Sequence, residues 1–429
     1  MEIINAMPTK ELFIEMLTRD ISLEDAIIDL IDNSIDAAKK DINNQNYADK
    51  WVKISISKEK FSISDNCGGM TKLIAINYAF RFGRPNTWDT GIKHTVGRFG
   101  IGMKRSIFKI GKDFQFISNT ENERFMIEEN IEKWKKNDQW NFQIHDLNKD
   151  IKEENGIELT IHNLYTNVEE EFNDQVFINN LIKEIEKVLS IPILQNFSIY
   201  INDDILSGEE INFLNGDDLK PFYKEIRSDD AIVKIFVGIG EPNPKKAGWY
   251  IYCNDRLMLE ADKSTLTGWK EQGIDDELSI VQYHNQYAMF RGVVFFDSDD
   301  PFLIPMTTTK TGIDENHRLF KGIRREMNRA MKLVISFLKS ISNKDERDEF
   351  VNNYDTISLS NIKFRDFDDK FISPDFKSSS NNGYLFTTIS FKKEKKIVSQ
   401  LKDDYNLSNN KELGEFLFDY FLKMEGFNE

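Results

Sequence analysis

Cysteine is nearly missing from this 429-residue chain: only Cys67 and Cys253 occur. Two isolated thiols without C-x-x-C spacing exclude a disulfide framework and a thiolate metal site, and they point to a cytoplasmic protein. No apolar run is long enough to span a bilayer, and the opening MEIINAMPTK lacks the charged-then-apolar profile of a secretory signal, so no membrane partner is expected. No segment repeats at a solenoid period. Positive charge is not in excess either. With 56 Lys and Arg against 72 Asp and Glu the formal charge is −16, which disfavours a surface that coats nucleic acid throughout. A local basic run at Lys392, Lys393, Lys395 and Lys396 stands against that balance. His94, His145, His162 and His284 are scattered and read as structural or surface residues.

What is present is the composition of a globular protein: 40% hydrophobic and 30% charged residues, with 33 Phe to fill a core. The length implies about two to three domains. Residues 1–165 alternate helical and strand patterns. Residues 166–343 carry strands at Phe197–Ile201, Ala231–Gly238, Gly248–Cys253 and Ala288–Phe296, then a long amphipathic helix over Asn316–Ile341. Residues 344–383 are polar and irregular and read as a linker. Residues 384–429 close the chain as strand, helix, helix. The fold class is α+β.

Three segments of the first part carry chemistry. The helix Leu23–Lys39 is capped by Ser22 with Asp25. Its apolar side is Ile27, Ile28, Leu30, Ile31 and Ile35, while Asp25, Asp29, Asn33 and Asp36 share another face. Asn33 offers a neutral oxygen ligand for Mg²⁺, a metal that keeps several waters and takes its other ligands from phosphates. Asp29, one turn earlier, can polarise a water. Next, a hairpin of Val52–Ile56 and Phe61–Ser64 runs into Asp65-Asn66-Cys67-Gly68-Gly69-Met70. A carboxylate at that strand end can accept the amino hydrogen of adenine, and glycines let backbone approach the base. Third, Gly97-Arg98-Phe99-Gly100-Ile101-Gly102-Met103-Lys104 leads into an apolar helix. Glycines before a helix turn backbone N–H groups onto phosphate oxygens, and Lys104 adds a cation. The spacing is neither the Walker nor the dinucleotide pattern.

In order, Asp29–Ala37, Asp65–Met70 and Gly97–Lys104 resemble the N box and the two glycine boxes of the GHKL ATPases, the gyrase, heat-shock chaperone, histidine kinase and MutL class. The resemblance implies an α/β sandwich (the Bergerat fold) that binds ATP with Mg²⁺ and hydrolyses it. It places Asn33, Asp65, Gly69, Met70, Gly97, Phe99, Gly100, Ile101, Gly102 and Lys104 on the nucleotide. Thr160, in the strand Gly156–Ile161, resembles the threonine that holds adenine beside Asp65. Two departures stand out. The family's usual Glu is Asp29 here, one methylene shorter, so slow or absent hydrolysis is in view. The usual first glycine after the adenine Asp is Cys67.

The loop Pro305-Met306-Thr307-Thr308-Thr309-Lys310-Thr311-Gly312 resembles the one through which gyrase-, MutL- and MORC-type proteins send a transducer-domain lysine to the γ-phosphate. The stretch Gly248–Leu257, with Asn254-Asp255-Arg256, looks like a strand and turn of MORC-like transducers. The last module resembles a ribbon–helix–helix unit, with the strand Tyr384–Phe391 and helices Lys393–Tyr405 and Lys411–Met424. In that family Thr388, Ser390 and Lys392 would face DNA bases and the ribbon would pair two chains. A helical hairpin used only for packing or dimerisation is equally compatible. The expected function is an ATP-gated homodimeric clamp on DNA, in genome defence or DNA remodelling. A chaperone-like remodeller and a non-hydrolysing ATP sensor are the alternatives.

Overall fold

Helices α1 (Lys10–Arg19) and α2 (Leu23–Ala38) open the described chain. Ser22 starts α2 by accepting a hydrogen bond from the Asp25 N–H, which satisfies one of the free donors of the first turn. From Ala26 to Asp32 every residue of α2 is buried, so this helix is a central pillar with no solvated face. The computed structural model describes residues 8–39, 47–83, 96, 100–148, 154–270, 282–341, 347, 350–374 and 393–424. Its contacts divide the chain into two compact units, Met1–Asp375 and Phe376–Glu429.

The larger unit holds two main sheets. The first has eight strands: β1 (Trp51–Ile56), β2 (Lys60–Asp65), β3 (Gly111–Asn119), β4 (Arg124–Asn130), β5 (Ile144–Asp146), β6 (Gly156–Leu164), β7 (Ser198–Ile201) and β8 (Asp204–Ile205). Their spatial order is β5-β4-β3-β6-β2-β1-β7-β8, antiparallel except where β7 lies parallel to β1. Alternation at period two turns Val52, Ile54, Phe61, Ile63, Phe114, Phe116, Leu159 and Ile161 to the buried face. Helices cover that face. They include α1, α2, the single turn α3 (Lys72–Ile74), α4 (Gly102–Ile110), α5 (Ile131–Lys135), α6 (Thr166–Phe172), α7 (Gln175–Val188) and α8 (Ser190–Leu194). One continuous core runs from Ile14 to Leu206. A boundary at residue 165 would cut it, because β7 completes the sheet beside β1.

Beyond β9 (Asn212–Asn215) comes the second sheet, ordered β10-β11-β14-β12-β13, from β10 (Phe222–Ser228), β11 (Ala231–Ile239), β12 (Gly248–Cys253), β13 (Arg256–Asp262) and β14 (Phe290–Ser298). The long helix α9 (Arg318–Ser340) packs on β11 and β14. It buries Phe320, Ile323, Met327, Met331, Val334 and Leu338, one stripe at helical spacing.

The segment expected to be a linker is packed for much of its length. β15 (Asp355–Ser358) pairs with β9, Lys220 bridges Ile372, and the rings of Phe364 and Phe367 meet Tyr223 and Phe236. Irregular backbone is held here by aromatic anchors, which leave no periodic signal. In the smaller unit the helices Lys395–Asp404 and Asn410–Met424 are joined by a turn, where the Asn409 side chain accepts from the Glu412 N–H. The expected strand Tyr384–Phe391, and with it Thr388, Ser390 and Lys392, lies outside the described residues. No described helix is long and apolar enough to cross a membrane.

Candidate functional site

Two members of the expected polar face of α2, Asp29 and Asp36, are buried, while Asp25 is half-buried and Asn33 exposed. Asp29 is 1% exposed and Asp32 2%, and Asp36 is buried as well. Asn33 alone among residues 26–38 is exposed, and its carboxamide has no hydrogen-bond partner among the described residues. It is a single open carboxamide in an otherwise enclosed stretch of helix. Its neighbour Ser34 donates to Asp65 Oδ2 at 2.7 Å, which ties α2 to the end of β2.

Asp65 is held from three directions. Besides Ser34, its Oδ1 accepts the N–H of Cys67 at 2.9 Å and of Ile157 at 3.3 Å. Burial pushes its carboxyl pKa above the ordinary value, and these three hydrogen bonds pull the other way. Cys67 at the glycine position keeps its N–H on Asp65 while its side chain enters the core. The protein's own backbone demands glycine at two positions here. A Cβ on Gly69, at φ +67°, would come within 2.3 Å of the Asn119 carbonyl oxygen; one on Gly156 would come within 1.8 Å of the Asp65 carbonyl oxygen. Gly156, unnoticed in the sequence, thus lets β6 begin against the Asp65 backbone. Met70 is fixed by Ser118, which accepts its N–H and donates to its carbonyl, both at 2.8 Å.

Thr160 is not beside Asp65. It pairs with Ser62, and Ser62 and Ser64 alternate with the inward Phe61, Ile63 and Asp65. Strand parity therefore places Thr160 on the opposite face of the sheet. Ile157, three residues earlier on β6, occupies the position at Asp65.

On the other side, α4 begins at Gly102, where a Cβ would lie 3.4 Å from Asp29 Oδ2. Gly100 adopts φ +66°, a conformation suited to glycine, and half-buried Ile101 follows as the residue before the helix. Val96 donates its N–H to both oxygens of Asp36, at 3.1 and 3.2 Å, which anchors the loop to α2. Gly97 and Phe99 lie outside the described residues. Lys104 is turned inward: its Nζ donates to the carbonyls of Ala79 and Gly100, both at 2.5 Å. Burial pushes its amine down to about 7.

The densest feature joins the two sheets. Lys310 stands in the loop between β14 and α9, closed by Thr307 N–H to Gly312 O at 3.0 Å and by a bridge between Met306 and Ile313. Its φ of +59° is rare for a lysine. Its ammonium lies 3.0 Å from Asp29 and 3.0 Å from Asp32. Arg256, fully enclosed at the start of β13, pairs with Asp32 and lies 3.6 Å from Asp29. Arg105 of α4 reaches Asp29 at 2.5 Å. The β12–β13 turn that presents Arg256 has Asn254 and Asp255 at φ +47° and +72°, and it is fixed by the Asn254 side chain bonded to Ser298. Lys39, the C-cap of α2, pairs with Asp255 at 3.4 Å. Burial would raise the Asp29 pKa, but the charges of Lys310, Arg256 and Arg105 together hold it below the ordinary value.

Helix α2 thus meets an aspartate-bearing strand end through Ser34, a glycine-led helix start at Asp29, and a lysine from the loop after β14 at Asp29 and Asp32. Asp65 suits a hydrogen-bond donor on a flat base, and the start of α4 suits phosphate oxygens. Asn33 can give one oxygen to Mg²⁺, whose other ligands would be phosphates and water. Among the described residues no group of three or more His, Cys, Asp or Glu could hold a metal ion. Residues 21–158 match the model of the family described as histidine kinase-, DNA gyrase B-, and HSP90-like ATPase. No curated protein matches the chain. This segment is a GHKL-type, ATP-binding ATPase domain.

Proposed function

We propose that the chain is a Mg²⁺-dependent ATPase in which the triphosphate recruits Lys310 and so moves the second sheet against the first. One observation carries the reading: Lys310 already reaches across to Asp29 and Asp32 on the nucleotide-facing helix. A γ-phosphate arriving at the start of α4 competes with those carboxylates for the same ammonium. ADP offers no such charge, and this differential contact lets a nucleotide bias a conformation. In hydrolysis, water attacks the γ-phosphorus, the bond to the β-phosphate oxygen breaks, and Asp29 takes the water's proton. Asn33 would hold Mg²⁺, which when bound would supply neutralisation of charge on the phosphates. The chain's own groups do the rest: Asp65 orients the base and the α4 N–H groups receive phosphate. Turnover of ATP by the full chain, lost in Asp29→Asn and in Lys310→Met, is the expected result; turnover unaffected by both would overturn the proposal.

The motion is further proposed to act within a homodimeric clamp on DNA. Support comes from the resemblance of the Pro305–Gly312 loop and the Gly248–Leu257 stretch to MutL- and MORC-type transducers. The basic run ending in Lys395 and Lys396, which open the first C-terminal helix, adds to it. Salt-sensitive stimulation of turnover by DNA tests this part, and indifference to DNA would remove it. Stimulation by unfolded protein instead would select a chaperone-like remodeller. A non-hydrolysing sensor is favoured by the enclosure of Asp29 among three cations. Tight ATP binding without turnover, unchanged in Asp29→Asn, would select it.

A further inference from the structure

Lys310 has two carboxylate partners in this structure, and only one of them belongs to the hydrolytic machinery proposed above. Asp32 projects from α2 one residue before Asn33 and is 2% exposed. It receives both Lys310, at 3.0 Å, and Arg256. The hydrolysis step proposed above does not use Asp32. A buried carboxylate shared by two cations holds each less firmly than it would hold one. Arg256 is fixed by the stapled β12–β13 turn, whereas Lys310 stands near the tip of a loop whose closing contacts, Thr307 to Gly312 and Met306 to Ile313, lie at its base. Of the two cations, the lysine, a point charge on a flexible four-carbon stem, is the one better able to change partner.

We infer that Asp32 is the resting berth of Lys310, and that Arg256, as a positioning residue, sets how readily the lysine leaves for a γ-phosphate. The Asp32–Arg256 pair then tunes the preference for ATP over ADP without touching either nucleotide. If Arg256 is removed, Asp32 has Lys310 as its one cation and retains it. If Asp32 is neutralised as well, the berth is gone and Lys310 is more available than in the native chain. The inference rests on the reading that Lys310 engages the γ-phosphate.

The test is equilibrium binding of ATP and of ADP, each with Mg²⁺, to the full chain and to Arg256→Gln, Arg256→Gln/Asp32→Asn and Lys310→Met. Arg256→Gln leaves two cations for two carboxylates, so a folded chain is expected and is checked by its melting. ATP affinity should fall about tenfold in Arg256→Gln, within the range of coupled sites, with ADP unchanged. The double variant should restore ATP affinity or exceed it. Equal losses for ATP and ADP, or no recovery in the double variant, would overturn the inference and leave Arg256 a structural ion-pair partner. Lys310→Met separates this from the underlying reading. If its ATP preference equals that of the native chain, or if the native chain binds neither nucleotide, the reading itself fails.

Discussion

Replacing Lys310 with methionine should cost much less stability than neutralising either carboxylate it touches. Three cations, Arg105, Arg256 and Lys310, meet two carboxylates, Asp29 and Asp32, at separations up to 3.6 Å. Without Lys310 two one-to-one pairs remain, Arg105 with Asp29 and Arg256 with Asp32. With Asp32→Asn, three cations crowd the single carboxylate of Asp29. An uncompensated buried charge costs about 3–5 kcal/mol. Loss of the surplus cation should cost on the order of 1 kcal/mol, the scale of one ordinary net hydrogen bond. Urea unfolding of the full chain, followed by tryptophan fluorescence, separates these values. The pH dependence has a definite sign. The Asp29 pKa is depressed in the folded chain, so its contribution is full above the ordinary carboxylate value, about 4. It is lost as pH falls through the lower folded value, and the gap between native chain and Asp29→Asn should close there. A Lys310→Met chain as unstable as Asp32→Asn would refute the reasoning from charge count.

Gly156→Ala should lower stability by about 1–3 kcal/mol, as overpacking does, because its Cβ would lie 1.8 Å from the Asp65 carbonyl oxygen. Weaker ATP binding should accompany the lower melting temperature, since Asp65 is displaced with the strand; unchanged melting would contradict the packing argument. The Lys104 amine, at about 7, is mostly neutral at pH 8, and phosphate charge favours its protonated form. ATP binding at pH 8 should therefore take up a proton, seen by calorimetry in buffers of different ionisation enthalpy, and Lys104→Gln should abolish that uptake.

Much of this architecture was legible because local pattern encodes it. The strand Gly248–Cys253 was found at its observed limits, and the apolar spacing of Ile27, Ile31 and Ile35 marked α2. Asp29, Asn33 and Asp65 were legible as a spaced set, since the fold places them on one helix and one strand end. The ion pairs of Arg105 and Arg256 leave no signal in the sequence, for a physical reason. Arg256 meets Asp32 across 224 residues of chain, and no periodicity records such a pairing. Strand parity alone could have corrected Thr160, because residues three apart on a strand face opposite ways. The packing of residues 355–372 rests on Phe364 and Phe367, single rings whose partners Tyr223 and Phe236 lie in another part of the sequence.

The site as a whole is tested by calorimetric titration of the full chain with a non-hydrolysable ATP analogue and Mg²⁺, in the native sequence and in Asp65→Asn and Asn33→Ala. One molecule should bind per native chain. Binding should be lost with Asp65→Asn, and its dependence on Mg²⁺ should be lost with Asn33→Ala. No binding to the native chain, or equal magnesium-dependent binding by all three, would contradict the assembly of α2, β2 and α4 around one nucleotide.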